Sequence, residues 1–268
     1  VWPPFFLAKE MGKSLVRSTL LQRSVQNEQK QIKQIMKNIL IAGAGRGIGL
    51  ACAKKLSGVS NIFAITRTPT AELEQTGATV LQADVAKDTL SVQPGWPDEF
   101  HGLVYCPGSI NLKPFHRLTE QDFLSDFQQN VSGAVRLIQQ FLPALKKASG
   151  ASVVLFSTVA VKNGMPFHAS IAASKGAVEG LAKSLAAELA GSKIRVNVIA
   201  PSLTDTPLAG SLLNTEEKKE AAGKRHPLQR VGTVDDMAAM TAFLLGEESS
   251  WVTGQIIGVD GGLGSLRV

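Results

Sequence analysis

The feature that most narrows the fold of this chain is a glycine-rich turn, Gly43-Ala44-Gly45-Arg46-Gly47-Ile48-Gly49, set between two regular segments. Before it runs Asn38-Ile39-Leu40-Ile41-Ala42, a short apolar stretch of strand type, and after it an amphipathic stretch continues from Ile48 to Leu56. In the order strand, turn, helix, the glycines serve tight turning, close approach of backbone to a bound group, and close packing of helix on strand. The first helical turn then offers free N–H groups to an anion. The pattern predicts a pyrophosphate cradle made by Gly43, Gly45, Arg46, Gly47, Ile48 and Gly49.

The rest of the chain repeats the alternation. Further apolar or β-branched runs fall at residues 62–65, 79–81, 103–105, 152–156, 194–199 and 255–259, each short and continuous rather than alternating. Such strands are buried on both faces. Helical patterns at 120–147, 169–190 and 234–245 separate them. The expected architecture is α/β: a three-layer, doubly wound fold around a mainly seven-stranded parallel sheet. With 268 residues, 44% of them hydrophobic, the chain has enough apolar material for one core without disulfides or metal. No Pro/Ser-rich break interrupts the series, so residues 36–268 read as a single domain.

Charge and cysteine usage remove other classes. The net charge of +6 is concentrated before Met36, where Lys9, Lys13, Arg17, Arg23, Lys30 and Lys33 face only Glu10 and Glu28. That is a solvated basic extension rather than a nucleic-acid patch. The opening run VWPPFFLA is too short to span a bilayer and carries two prolines. Residues 1–35 are expected to be an N-terminal extension outside the fold, with Met36 an ordinary start for a protein that begins on a strand. Cys52 and Cys106 form no disulfide framework, which fits a reducing, cytoplasmic setting. His101, His116, His168 and His226 make no paired-ligand pattern, so metal-free chemistry is expected.

The end of the second strand decides which dinucleotide is preferred. An Asp or Glu there would hold the ribose hydroxyls of NAD. The chain instead has Ile65-Thr66-Arg67, with Arg46 projecting from the glycine turn. Two guanidiniums suit the extra 2′-phosphate of NADP, which a carboxylate would repel. NADP(H) is the expected cofactor; in the alternative, Arg67 is a surface residue and NAD binds.

Together these segments resemble the classical short-chain dehydrogenase/reductase family, a Rossmann-fold family, over essentially residues 38–264. Residues 42–49 are similar to its TGxxxGxG turn, with Ala42 in place of threonine. Ala83-Asp84-Val85 resembles its adenine-contacting segment, which implies Asp84 at the adenine amino group and Val85 on the ring. Tyr105-Cys106-Pro107-Gly108 stands where the family has NNAG and keeps only the glycine. The stretch from Arg195 to Thr206 resembles the segment over nicotinamide and pyrophosphate, which implies cofactor contacts at Pro201, Leu203 and Thr206, with Ser202 replacing a glycine. Trp251-Val252-Thr253-Gly254 and Val259-Asp260-Gly261-Gly262 resemble the last strand and its turn.

The resemblance also implies a catalytic group of Asn, Ser, Tyr and Lys. Asn130, Thr158 (with Ser157 as the adjacent alternative) and Lys175 match three of these. Lys175 is implied to bind the nicotinamide ribose as well. The tyrosine position holds Ile171, which has no proton to give, and Tyr105 is the only tyrosine in the chain. His168, seven residues before Lys175, falls on nearly the same helix face and is a candidate donor; alternatively it only tops the helix. Ser170 is a weaker relay candidate.

The expected function is an NADP(H)-dependent oxidoreductase that transfers hydride to a carbonyl or activated alkene of a small molecule. The alternative is a catalytically impaired nucleotide-binding protein with a regulatory or scaffolding role. No nucleic acid or membrane partner is expected. The long helices resemble those through which the family forms dimers and tetramers, so a homodimer or homotetramer is expected.

Overall fold

In the computed structural model, residues 36–88, 90 and 93–267 are described; the expectation for residues 1–35 lies outside them. The described residues form seven strands: β1 (Lys37–Ala42), β2 (Ser60–Thr66), β3 (Thr79–Gln82), β4 (Gly102–Tyr105), β5 (Ser152–Phe156), β6 (Arg195–Pro201) and β7 (Ile256–Val259). They form one sheet in the order β3-β2-β1-β4-β5-β6-β7, every pair parallel. The order reverses between β1 and β4, which opens a crevice at the carboxyl ends of those strands. The expected doubly wound fold is observed.

Among the described residues, eight α-helices connect the strands: α1 (Gly47–Leu56), α2 (Ala71–Glu74), α3 (Glu120–Phe127), α4 (Gly133–Lys147), α5 (Val159–Asn163), α6 (Ala169–Leu189), α7 (Glu216–Gly223) and α8 (Val234–Leu245). Strand residues bury alternately on the two faces of the sheet. Leu40, Ala42, Leu103 and Tyr105 meet Leu137 and Phe141 of α4 and Val178 of α6. Ile39, Ile41 and Val104 meet Cys52 and Leu56 of α1 and Leu244 of α8. Rings of Phe63, Trp96, Phe100 and Phe141 close one end, Phe63 and Phe100 edge to face at 5.2 Å.

One expectation needs correction. The stretch 120–147 is not a single α-helix: residues Gln128–Ser132 form a π-turn between α3 and α4, with Gly133 N–H donating to Gln128 O. The extra residue widens the turn and directs Asn130 into the protein. A Thr119–Asp122 capping box fixes the start of α3. Helical periodicity alone carries straight through such a break, which is why the sequence reads as continuous.

Candidate active site

The glycine turn sits at the carboxyl end of β1, tied to the neighbouring strand by Gly43 N–H donating to Ile65 O at 2.8 Å. Two glycines are required by close approach. A Cβ on Gly45 would stand 2.4 Å from Thr66 Oγ1, and one on Gly49 would stand 2.2 Å from Gly43 O. Above the turn lies a cleft of about 630 Å³.

Most residues expected to hold the dinucleotide meet on this cleft: Gly43, Gly45, Arg46, Gly47, Ile48, Gly49, Thr66, Arg67, Asp84, Val85, Cys106, Pro107, Gly108 and Thr206. Pro201, Leu203 and Lys175 do not line it. Pro201 ends β6 in register with Val259, and Leu203 packs on a small cluster of Ala209, Leu213 and Ala222. Thr68, Thr70, Gln129, Pro207 and Leu208 also line the cleft, beyond the residues that the sequence pattern predicts. Thr70 carries a local signal, since it caps α2 by accepting from Leu73 N–H and also donates to Gly45 O at 3.2 Å. Arg46 and Arg67 are exposed, and neither has an ion-pair partner among the described residues.

Deeper in, α6 presents Lys175, whose Nζ donates to Phe156 O at 2.8 Å. Asn130 donates to Asp126 O at 2.7 Å, and to Ser109 Oγ and Ser174 Oγ at 3.2 Å each. Its Oδ1 is buried and has no hydrogen-bond partner among the described residues. Lys175 Nζ and Asn130 Oδ1 both face Gly108. An unsatisfied acceptor beside a lysine ammonium is the kind of orphan that a ligand or water completes.

The two hydroxyls at the end of β5 differ in their hydrogen bonding. Ser157 is buried and donates to Glu179 Oε1 at 2.6 Å. Thr158 caps α5, its Oγ1 accepting from Ala160 N–H at 3.3 Å, and its hydroxyl proton is taken by no acceptor among the described residues. Thr158 is therefore the hydroxyl free to donate. Ile171, one turn before Lys175, is buried. Tyr105 faces away, donating to Gln129 O at 2.6 Å, and a Cβ on Gly133 would meet its oxygen at 2.2 Å. His168 stands at the start of α6 with Nδ1 2.6 Å from Pro166 O, which assigns the proton to Nδ1. Two turns separate it from Lys175, about 10 Å of helical rise. Ser170 is buried against α3, donating to Asp126.

Burial brings the Lys175 ammonium down to about 8. Burial first, and the nearby Asp84 charge, push the Tyr105 phenol up. The contact with Cys52, then burial, pushes the Cys106 thiol well up, and the same contact pulls Cys52 down.

A parallel sheet with a glycine-turn cleft at its topological switch point, and a buried lysine beside it, defines a dinucleotide-binding α/β protein of the oxidoreductase type. The family model described as Enoyl-(Acyl carrier protein) reductase matches residues 43–264. The 3-oxoacyl-[acyl-carrier-protein] reductase FabG of Thermotoga maritima is 33% identical over 84% of this chain and 96% of its own. A short-chain type dehydrogenase/reductase from Mycobacterium ulcerans superposes with a TM-score of 0.76 at 28% identity, over 86% of this chain and 90% of that one. An actinorhodin polyketide ketoreductase solved with NADPH has a TM-score of 0.77 at 25% identity, over 87% and 99%. The chain belongs to the short-chain dehydrogenase/reductase family and is an oxidoreductase of that type. Among the described residues, no helix is long and apolar enough to cross a membrane.

Proposed function

We propose that this protein is an NADPH-dependent reductase of a small-molecule carbonyl or activated alkene. The observation that carries the cofactor preference is the pair Arg46 and Arg67 on the cleft, without an ion-pair partner among the described residues, with Thr66 where a carboxylate would hold a ribose diol. The cleft suits a dinucleotide: Gly45 and Gly49 leave no room for a side chain, and its volume lies within the ~300–1,000 Å³ usual for such sites. The relatives support the chemistry, one named as a 3-oxoacyl reductase and one solved with NADPH.

When bound, the reduced nicotinamide supplies a hydride. The chain's own residues do the rest. The turn and the N-terminus of α1 bind the pyrophosphate, Asp84 and Val85 take the adenine, and Arg46, Thr66 and Arg67 take the 2′-phosphate. Thr158 donates its free hydroxyl proton to the acceptor oxygen, lowering the cost of the negative charge that develops there. Lys175 holds the ribose and places a positive charge beside the same oxygen, and Asn130 keeps an acceptor aimed at the space over Gly108.

Fluorescence titration with NADPH and NADH, followed by absorbance assays with ketones, quinones and enones, tests the reading. Two charge-assisted contacts predict at least about tenfold tighter NADPH binding. Equal affinity for the two cofactors removes the NADP assignment. Ile171 favours a second reading, a cofactor-binding protein without turnover; tight NADPH binding with no oxidation by any acceptor would select it. The exposed Leu124 and Phe127 on α3 fit a homo-oligomer; light scattering at a monomer mass at micromolar concentration would remove that part.

A further inference from the structure

A serine and a histidine that do not line the dinucleotide cleft are hydrogen-bonded to each other. Ser202 follows β6, His226 follows α7, and Ser202 Oγ lies 2.8 Å from His226 Nε2. The other ring nitrogen, Nδ1, lies 2.8 Å from the carbonyl oxygen of Ala222 in α7. A carbonyl only accepts, so Nδ1 carries the ring proton. In the neutral imidazole Nε2 is then the acceptor, and the serine hydroxyl donates to it. His226 is 2% exposed, whereas Ser202 is only partly buried and lines a second cavity of about 260 Å³. The base therefore stands behind the serine, and the serine is the member of the pair on the cavity wall.

Gly261, in the turn after β7, lines the same cavity and packs on the histidine. A Cβ there would stand 3.5 Å from His226 Cβ and 3.5 Å from Cδ2, the carbon bonded to Nε2. The N–H of Gly261 is taken by no acceptor among the described residues. Both carboxylates on the wall are engaged, Asp236 by two bonds from Arg230 at 2.6 and 2.9 Å, and Asp260 by the N–H groups of Gly262 and Gly264. Leu228 and Met237 supply apolar surface. The volume lies below the ~300–1,000 Å³ of sites for drug-sized ligands, and with its charges paired the cavity suits a short, uncharged acyl group.

We propose that Ser202 and His226 form a second catalytic site that hydrolyses uncharged esters of short carboxylic acids, with Ser202 as nucleophile and His226 as general base. A hydroxyl bonded to a base, with the base oriented by a third group, here the Ala222 carbonyl, is the arrangement that activates a serine. Nε2 takes the hydroxyl proton, Oγ bonds to the ester carbonyl carbon, and the carbonyl electron pair moves to its oxygen, for which the Gly261 N–H is the free donor on the wall. The electron pair returns, the C–O bond to the alcohol breaks, and the alcohol leaves with the proton from Nε2. Water, deprotonated by the same nitrogen, then attacks the acyl-serine and releases the acid. Nothing is oxidised or reduced and no dinucleotide takes part, so this site stands apart from the reductase reading.

The full chain is treated with diisopropyl fluorophosphate and the modified peptide is identified by mass spectrometry, and hydrolysis of 4-nitrophenyl acetate is followed by absorbance without NADPH. The expected result is an adduct on Ser202, with an ester kcat/KM that falls by about 10²–10⁴ in Ser202→Ala and in His226→Gln. Because removing a buried ring can unfold the chain, the serine variants decide. Ser202→Ala and Ser202→Gly are both expected to melt within a few degrees of the parent and to show the same loss. A folded parent with no adduct on Ser202 overturns the proposal. So does an adduct there without ester turnover, or an ester activity that both serine variants keep within about twofold of the parent.

Discussion

Asn130 Oδ1 and Lys175 Nζ converge on the same bare glycine: a Cβ added to Gly108 would stand 3.5 Å from one and 3.6 Å from the other. Those are ordinary contact distances, so alanine fits. Valine extends further into the shared space and blocks whatever bridges the two groups. Gly108→Val is expected to weaken NADPH binding at least about tenfold while the melting temperature stays within a few degrees. A variant that binds NADPH normally would show that the space over Gly108 is not used.

Gly45 is the opposite case. Alanine there would meet Thr66 Oγ1 at 2.4 Å and the Thr68 carbonyl oxygen at 2.6 Å, and the latter belongs to backbone that cannot swing aside. Gly45→Ala is expected to cost about 1–3 kcal/mol of stability, read as a lower urea midpoint, together with loss of NADPH binding.

Exchanging the arginine at the end of β2 for a carboxylate tests cofactor choice directly. Arg67→Asp removes one partner of the 2′-phosphate and adds repulsion. The preference for NADPH over NADH is expected to fall by about 10² or more. An unchanged ratio of the two dissociation constants would place the 2′-phosphate away from β2.

Lys175 makes stability depend on pH with an unusual sign. Its pKa in the fold, about 8, lies below its ordinary 10.5, so between those values the unfolded chain binds more protons than the native one. Stability then rises with pH across that window. Below it the fold bears the full cost of a buried ammonium, about 3 kcal/mol. Lys175→Met is expected to be more stable than the parent at pH 7, with the gap closing toward pH 10.5, measured by urea unfolding at a series of pH values. A gap that does not narrow would mean that the lysine is not titrating below its usual range.

Ile171→Tyr places a phenol one turn before Lys175. If the site already turns over, kcat is expected to rise by about 10²–10⁴, the usual contribution of a positioned acid. No gain would argue that position 171 faces away from the acceptor.

The sheet is legible in the sequence because continuous apolar runs and the glycine turn are local signals, and the cleft follows from their order. The boundaries of β5 and α8 agree residue for residue. The break at residues 128–132 leaves no such mark, because apolar positions on both sides keep a helical spacing. Asp126 is invisible for a related reason: an aspartate in a helix reads as a solvent-facing residue until Ser109 and Ser170, distant in sequence, close around it. Ser157 and Thr158 are adjacent hydroxyls, and only the hydrogen bond to Glu179 separates them. Pro201 and Leu203 follow from position along a segment that turns away before reaching the cleft at Thr206.

The widened turn between α3 and α4 behaves as a spacer that the two halves of the rod do not feel. The half after the turn keeps its apolar stripe, Leu137, Ile138 and Phe141, in the core against the sheet, while the one surplus residue lets Asn130 swing inward. Shortening the chain by a single residue there would restore plain helical winding and rotate Asn130 by about 100°, away from Lys175. Such a deletion would leave a well-folded molecule with no organised centre, so in this architecture the integrity of the fold and the integrity of the site can be lost independently.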